Sequence, residues 1–329
     1  MRVQLRAAGM ALVVLAAMAP KTGAWAGETK VRVNVFAGLA NLGLYAAQAQ
    51  GFFAKRGLAV EVQFTPNSQA QRDGLAQGRL EIAHAAVDNA LAMVDVAKVD
   101  VIIVMGGDNS LNSLMVQPDI GSVADLRGKT VIVDAPNTAY ALQLYKILQL
   151  NGLQKTDYAV KAIGGTPLRL EAMRKDKTYA ASMMNPPFSV QAEKEGFRNL
   201  GPAVRWIGPY QGPGAFVLRS WAQANPDTLL RYIQASVEGL RWAMSPANKA
   251  QAVALVAERL KLAPDVAARS YDLVTDPVGG FARDARFDIE GFKNTLKLRA
   301  EMEGQSGGAP QPPEKYLDLS YYERAVAGL

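Results

Sequence analysis

VRVNVFAGLANLGLYAAQAQGFFAKRGLAVEVQF, residues 31–64, decides the fold because it is written twice in this chain. Valines alternate with polar residues over Val31–Phe36, which predicts a strand. The turn Ala37–Gly43 carries two glycines, the helix Leu44–Lys55 follows, and Gly57 closes it at a C′-like position before the strand Leu58–Phe64. A second copy begins near Lys129 as KTVIVDAPNTAYALQLYKILQLNGL and regains a strand near Ala159. The echo continues: TPNSQAQRDGLAQGRLEIAHAAVDNALAMVD (65–95) corresponds to GGTPLRLEAMRKDKTYAASMMNPPFSVQAEK (164–194). An offset of roughly a hundred residues is domain-sized, whereas solenoid repeats recur every 20–50. Two similar α/β lobes on one chain enclose a cleft, the place where a small molecule is held.

Further elements follow from the same patterns. Pro66-Asn67-Ser68 opens a helix over 69–77 that ends at Gly78; Leu80–Ala86 is a strand, Asp88 a candidate N-cap, and Asn89–Val96 a short helix. Val101–Met105 is a continuous apolar run, as in a strand buried on both faces. A short strand at Leu114–Val116 leaves lobe one, and Ser122–Leu126 is one helical turn. The second lobe has strands Thr130–Val133, Ala159–Ile163 and Tyr179–Ser182, with helices Ala139–Leu150, Leu168–Lys175 and Phe188–Glu195. Gly214–Leu218 returns to lobe one, so crossings near 115 and 215 make a two-strand hinge. Lobe one is thus 27–115 plus 214–329, and lobe two 116–213. Helices Asp227–Met244, Pro246–Lys261, Pro264–Leu273, Ile289–Glu303 and Ser320–Ala327 form a tail expected on the outside of lobe one.

The first 26 residues read as a secretory signal. Arg2 and Arg6 form a basic start, Ala7–Ala19 an apolar run, and Ala24-Trp25-Ala26 a small-x-small cleavage site. The run is about 13 residues, short of the ~20 that span a bilayer. The expected mature chain is exported and soluble. With no cysteine there is no disulfide framework, thiol nucleophile or cysteine-held metal. An exported chain without disulfides needs an ordinary core, and 49% apolar residues are ample for two lobes. Loss of Arg2, Arg6 and Lys21 lowers the formal charge from +6 to +3, leaving 33 cationic against 30 acidic side chains. These cations are dispersed, so nucleic acid is not an expected partner.

Alternating strands and helices form parallel sheets, and ligands bind beyond the carboxyl ends of their strands. The turns there are Ala37–Gly43, Thr65–Ser68, Ala86–Asn89, Gly106–Ser110, Asp134–Thr138, Gly164–Thr166 and Met184–Pro187. They hold groups that hydrogen-bond without reacting: Asn41, Asn67, Ser68, Asn89, Asn109, Asn137, Thr138 and Asn185. Capping alone accounts for such residues at many helix starts, and Asp88 is the plainest cap. Asp88, Asp108 and Asp134 are acidic while no turn contains arginine or lysine, so an amine or a neutral hydrogen-bonding ring fits better than an anion. Tyr140, Phe188, Trp206 and Tyr210 could stack on a ring or simply pack. His84, the sole histidine, closes an apolar strand and is expected to pack rather than catalyse. No GxSxG, HExxH or GxxxxGK[ST] occurs, and neither metal nor cofactor is expected.

The segments GLYAAQAQGFFAKRGLAVEVQF, GLAQGRLEIAHAAVDNAL, DLRGKTVIVDAPNTAYALQLYKILQLNGL and YAASMMNPPFSVQAEKEGF resemble periplasmic solute-binding proteins of ABC importers. The similarity is to the nitrate/sulfonate/taurine group, with relatives that bind thiamine-pyrimidine precursors. It implies a type II periplasmic-binding fold with lobes joined by two hinge strands, a small-molecule solute, and an inner-membrane permease and ATPase as partners; the helical C-terminal tail is compatible with it but generic, and a monomer is expected. Asn41, Asn67, Ser68, Asp88, Asn89, Asn137, Thr138 and Asn185 are the ligand contacts it implies; Asp108, Tyr140 and Tyr210 complete the candidate site. Rival readings are an enzyme on the same fold, of pyrimidine-precursor or menaquinone-pathway type, and a receptor feeding a sensor. The expected export signal disfavours the intracellular enzymes, and the cysteine-rich motif of yeast-type pyrimidine synthases is absent.

Overall fold

The computed structural model describes residues 28–108, 111–277, 279–303 and 308–329; the expected signal, residues 1–26, and Asn109 lie outside them. The first sheet holds β1 (Thr29–Val35), β2 (Leu58–Phe64), β3 (Ile82–Ala86), β4 (Val101–Met105) and, from much later in the chain, β10 (Pro213–Leu218). Its order is β2-β1-β3-β10-β4. β1 runs parallel to β2 and β3, and β10 runs antiparallel to β3 and β4. The second sheet is built from β5 (Ser113–Val116), β6 (Thr130–Val133), β7 (Ala159–Ala162), β8 (Tyr179–Met184) and β9 (Arg198–Pro202), in the order β7-β6-β8-β5-β9. β6 is parallel to β7 and β8, while β5 is antiparallel to β8 and β9. The repeated sequence therefore becomes a repeated topology, with one antiparallel strand in the same place in each sheet.

Helices connect the parallel strands. In the first lobe they are α1 (Leu42–Ala49), α2 (Ser68–Ala76) and α3 (Asp88–Asp95); in the second, α4 (Ala139–Leu150), α5 (Thr166–Lys175), α6 (Phe188–Lys194) and α7 (Val204–Ile207). The tail contains α8 (Arg219–Ala224), α9 (Pro226–Met244), α10 (Lys249–Leu260), α11 (Pro264–Val274), α12 (Ile289–Glu303) and α13 (Ser320–Ala327). The period-2 alternation of strands sorts residues to two faces. Val131 and Val133 pack with Leu144, Ile147 and Leu148, whereas Ile132 packs with Leu170, Met173 and Phe188 on the other side. Likewise Val31, Val33 and Val35 meet Tyr232, Ile233 and Val237 of α9.

Four differences from the sequence reading have clear causes. The helix expected over Leu44–Lys55 stops at Ala49; Gly51 at φ 70 redirects the chain into a 3-10 turn, Ala54–Arg56, closed by left-handed Gly57. β9 was not foreseen, because RNLGP is short and carries the Gly and Pro typical of an edge strand. β5 belongs wholly to the second sheet, so the outward crossing falls between β4 and β5. The return crossing runs beside it, with Gly212 N–H donating to Asp108 O at 3.0 Å. Finally, the tail does not cover lobe one alone. Phe292 and Leu296 of α12 join a core beneath the first sheet, while Met302 packs against the second lobe's core. Lys146 of α4 pairs with Glu301, and Lys194 of α6 lies 2.6 Å from Asp265 of α11.

Candidate ligand-binding site

The carboxyl ends of both sets of parallel strands face one another across a cleft with about 1070 Å³ of unfilled space, its open mouth included. Lobe one contributes the turn from Phe36 to Gly43, Ser68, His84–Ala86, Asn89 and Met105–Gly107; lobe two contributes Asp134, Thr138–Tyr140, Gly165, Thr166, Arg169 and Asn185. The lobes touch around it. Ser68 Oγ donates to Asp134 Oδ2, Gly165 N–H donates to Pro66 O at 2.9 Å, and Leu39 N–H donates to Pro186 O at 3.4 Å.

Several candidates from the sequence line this cleft. Asn41, buried at the start of α1, donates through Nδ2 to Phe36 O at 2.6 Å and Gly38 O at 3.3 Å, so it shapes the first turn. Asn89 accepts from Arg72 Nη1 at 3.2 Å. Thr138 bonds Ala135 O at 3.0 Å. Asn185, just before the cis Pro186–Pro187 bond, accepts from Thr166 Oγ1 at 3.2 Å and brings its amide within 3.4 Å of where a Cβ on Gly38 would sit. Tyr140 lies under the Arg169 guanidinium, 5.2 Å from its ring centre, and burial raises its hydroxyl pKa.

Other candidates stand elsewhere. Asn67 caps α2, its Oδ1 accepting from Ala70 N–H at 2.8 Å, and does not line the cleft. Asn137 also lies off the cleft lining; its backbone carbonyl accepts from Arg299 at 3.3 Å. Asp88 is not a cap. Its carboxylate accepts from the Tyr210 hydroxyl at 2.5 Å and pairs with Arg299 of α12 at 3.4 Å, all three being buried. Burial pushes the Asp88 carboxyl up, against the opposing pull of Arg299 and Tyr210. Asp108 and Tyr210 line a small adjoining pocket at the crossings instead of the main cleft.

Two contributors were missed as ligand-facing groups. Arg169 is 1% exposed and lines the cleft from the first turn of α5, so the cleft holds an arginine although none of the turns at the strand ends contains one. It escaped notice because it lies past the helix start, not in the turn. Its N–H groups donate to Gly164 O (3.0 Å), Ser182 Oγ and Met183 O (both 2.7 Å) and Thr166 Oγ1 (2.9 Å). Burial lowers its pKa, and the charge of Asp134 works against that shift. His84 also lines the cleft, with Nε2 2.7 Å from Tyr232 OH. Desolvation lowers its pKa to about 4, so at neutral pH it is uncharged.

Two α/β lobes with a cleft lined from both halves are the architecture of the periplasmic-binding fold. The chain belongs to the NMT1/THI5-like family, whose model matches residues 40–250. Comparison with the curated proteins returns no match. Among solved structures, the ligand-binding component of an ABC-type import system from Staphylococcus aureus, with zinc bound, has a TM-score of 0.75 at 14% identity, covering 90% of this chain and 99% of that one. The periplasmic nitrate-binding protein NrtA from Synechocystis PCC 6803 gives 0.75 at 15% identity, covering 92% and 89%. The desulfurization enzyme DSZB gives 0.63 at 13% identity, covering 91% and 99%. Likeness at these identities is likeness of fold.

Proposed function

We propose that the mature chain is a periplasmic receptor that closes its two lobes on one small organic solute and delivers it to an ABC permease. The observation that carries this reading is the cleft itself. Hydrogen-bonding side chains from both lobes line it, and the lobes bond each other directly across it. A ligand that touches both halves favours the closed arrangement, which is how such a receptor signals that it is loaded. Its relatives by fold include a component of an import system and a nitrate-binding protein, which supports the same reading.

The enzyme reading has the fold of DSZB in its favour but no assembled chemistry. His84, the sole histidine, bonds Tyr232, and Ser68 Oγ donates across the cleft to the Asp134 carboxylate, a contact that ties the two lobes together and has no histidine in it. A thermal-shift screen of the mature protein with sulfonates, carboxylates, amines and pyrimidines tests the receptor reading. A ligand at 100 times its dissociation constant adds about 2.7 kcal/mol of stability. Asn185→Ala, which removes a side chain at the lobe-two wall, should weaken that ligand by ~1–3 kcal/mol in calorimetry. Chemical conversion of the bound compound by the pure protein would sink the receptor-only reading.

A further inference from the structure

Among the residues lining the cleft, Asp134 stands apart. It follows β6, is 8% exposed, and its two carboxylate oxygens are treated differently by the protein. Oδ2 accepts from Ser68 of the opposite lobe, whereas Oδ1 is buried with no hydrogen-bond partner among the described residues. A buried acceptor left unmade costs on the order of 1–3 kcal/mol, more when it is charged, so native proteins rarely keep one without use. The two cations whose fields it balances, Arg169 and Arg72, do not bond it. Arg169 directs its N–H groups at Gly164, Ser182, Met183 and Thr166, and Arg72 at Asn89 and Gln69.

We infer that Asp134 is the specificity-determining residue of the cleft, accepting through Oδ1 a hydrogen bond from an amino or ammonium group of the solute. This rests on the receptor reading above and adds the ligand class to it. An ionised carboxylate oxygen only accepts, so it can hold an N–H donor and repels an oxyanion. The cleft's other polar groups agree. Asn41 Nδ2, Asn89 Nδ2 and Thr138 Oγ1 already donate to main-chain carbonyls. Phe36, Tyr140 and Phe281 also line the cleft, giving it an aromatic lining as well as a polar one.

Matched probes separate the head groups while holding the ring constant. Benzylamine and benzamidine carry cationic N–H donors; benzenesulfonate and benzoate carry anions on the same ring. In calorimetry with the mature full-length protein, the two amines are expected to bind and the two anions not. Asp134→Asn should weaken the amines roughly ten- to hundredfold, as loss of a charge-assisted hydrogen bond does. It should also admit benzenesulfonate, because Arg169 would keep its charge without the acid that balances it. A purely structural role for Asp134 would not exchange one preference for the other; the melting temperature of each unliganded variant reports its folding. Tighter binding of the anions to the native protein, no binding of either amine, or amine affinity unchanged in Asp134→Asn would each overturn the assignment. The broader screen answers the receptor question separately, since a sulfonate hit there would refute the ligand class and leave the receptor standing.

Discussion

His84 occupies an unusual position for an ionisable residue, since it faces the cleft yet stays neutral because burial against Tyr232 disfavours its charged form. Its folded pKa of about 4 lies below the ordinary 6.5, so between those values the unfolded chain binds a proton that the folded chain does not. Stability from this residue is therefore complete above about pH 6.5 and is lost as pH falls toward 4, a change on the order of 3 kcal/mol. Because it is the only histidine, one imidazole resonance reports it directly by NMR. That resonance should titrate near pH 4, and His84→Gln should flatten the stability profile between pH 6.5 and 4 in urea denaturation. A midpoint near 6.5 would show the ring to be solvated. The packing of His84 was legible from its place at the end of an apolar strand. Its hydrogen bond to Tyr232 was not, because that partner lies 148 residues away in the chain.

Among elements, the pairing of α1 with α9 sets the shape of the first binding turn. Gly239 of α9 approaches Gly43 so closely that an added Cβ would lie 2.1 Å from the Gly43 carbonyl and 2.7 Å from Ala47 N. Both obstacles are main chain, so a side chain there must push the helices apart, and Gly43 itself lines the cleft. Gly239→Ala should cost ~1–3 kcal/mol in denaturation and also weaken ligand binding, despite alanine's better helix propensity. Gain of stability would show that α1 and α9 can move apart freely. The periodicity of both helices was readable in the sequence, but their contact joins segments nearly 200 residues apart in the chain. Asp88 teaches the same lesson. Local pattern made it a cap, and only the arrival of Tyr210 and of Arg299 from α12 made it a buried counter-ion.

For the molecule as a whole, closure is held by polar contacts such as Ser68–Asp134 and by tail helices that touch both lobes. The exposed pair Lys194–Asp265 adds little, as solvent-exposed ion pairs do. Ser68→Ala removes a cross-cleft bond of about 1 kcal/mol, shifting the ligand-free equilibrium toward open by roughly fivefold. Small-angle scattering should show the variant more expanded than the native protein without ligand and equally compact with it; identical unliganded profiles would mean that this bond does not hold the lobes. The sequence alone determined the two α/β lobes, their parallel strands and the turns at their carboxyl ends, because alternation, helical spacing and glycine punctuation act over a few residues. The tertiary structure decided which of those turns meet, that α12 spans both lobes, that Arg169 reaches the cleft, and that Asp134 keeps one oxygen unpartnered. Those outcomes depend on chain segments brought together by burial of apolar faces, and no local pattern encodes that juxtaposition.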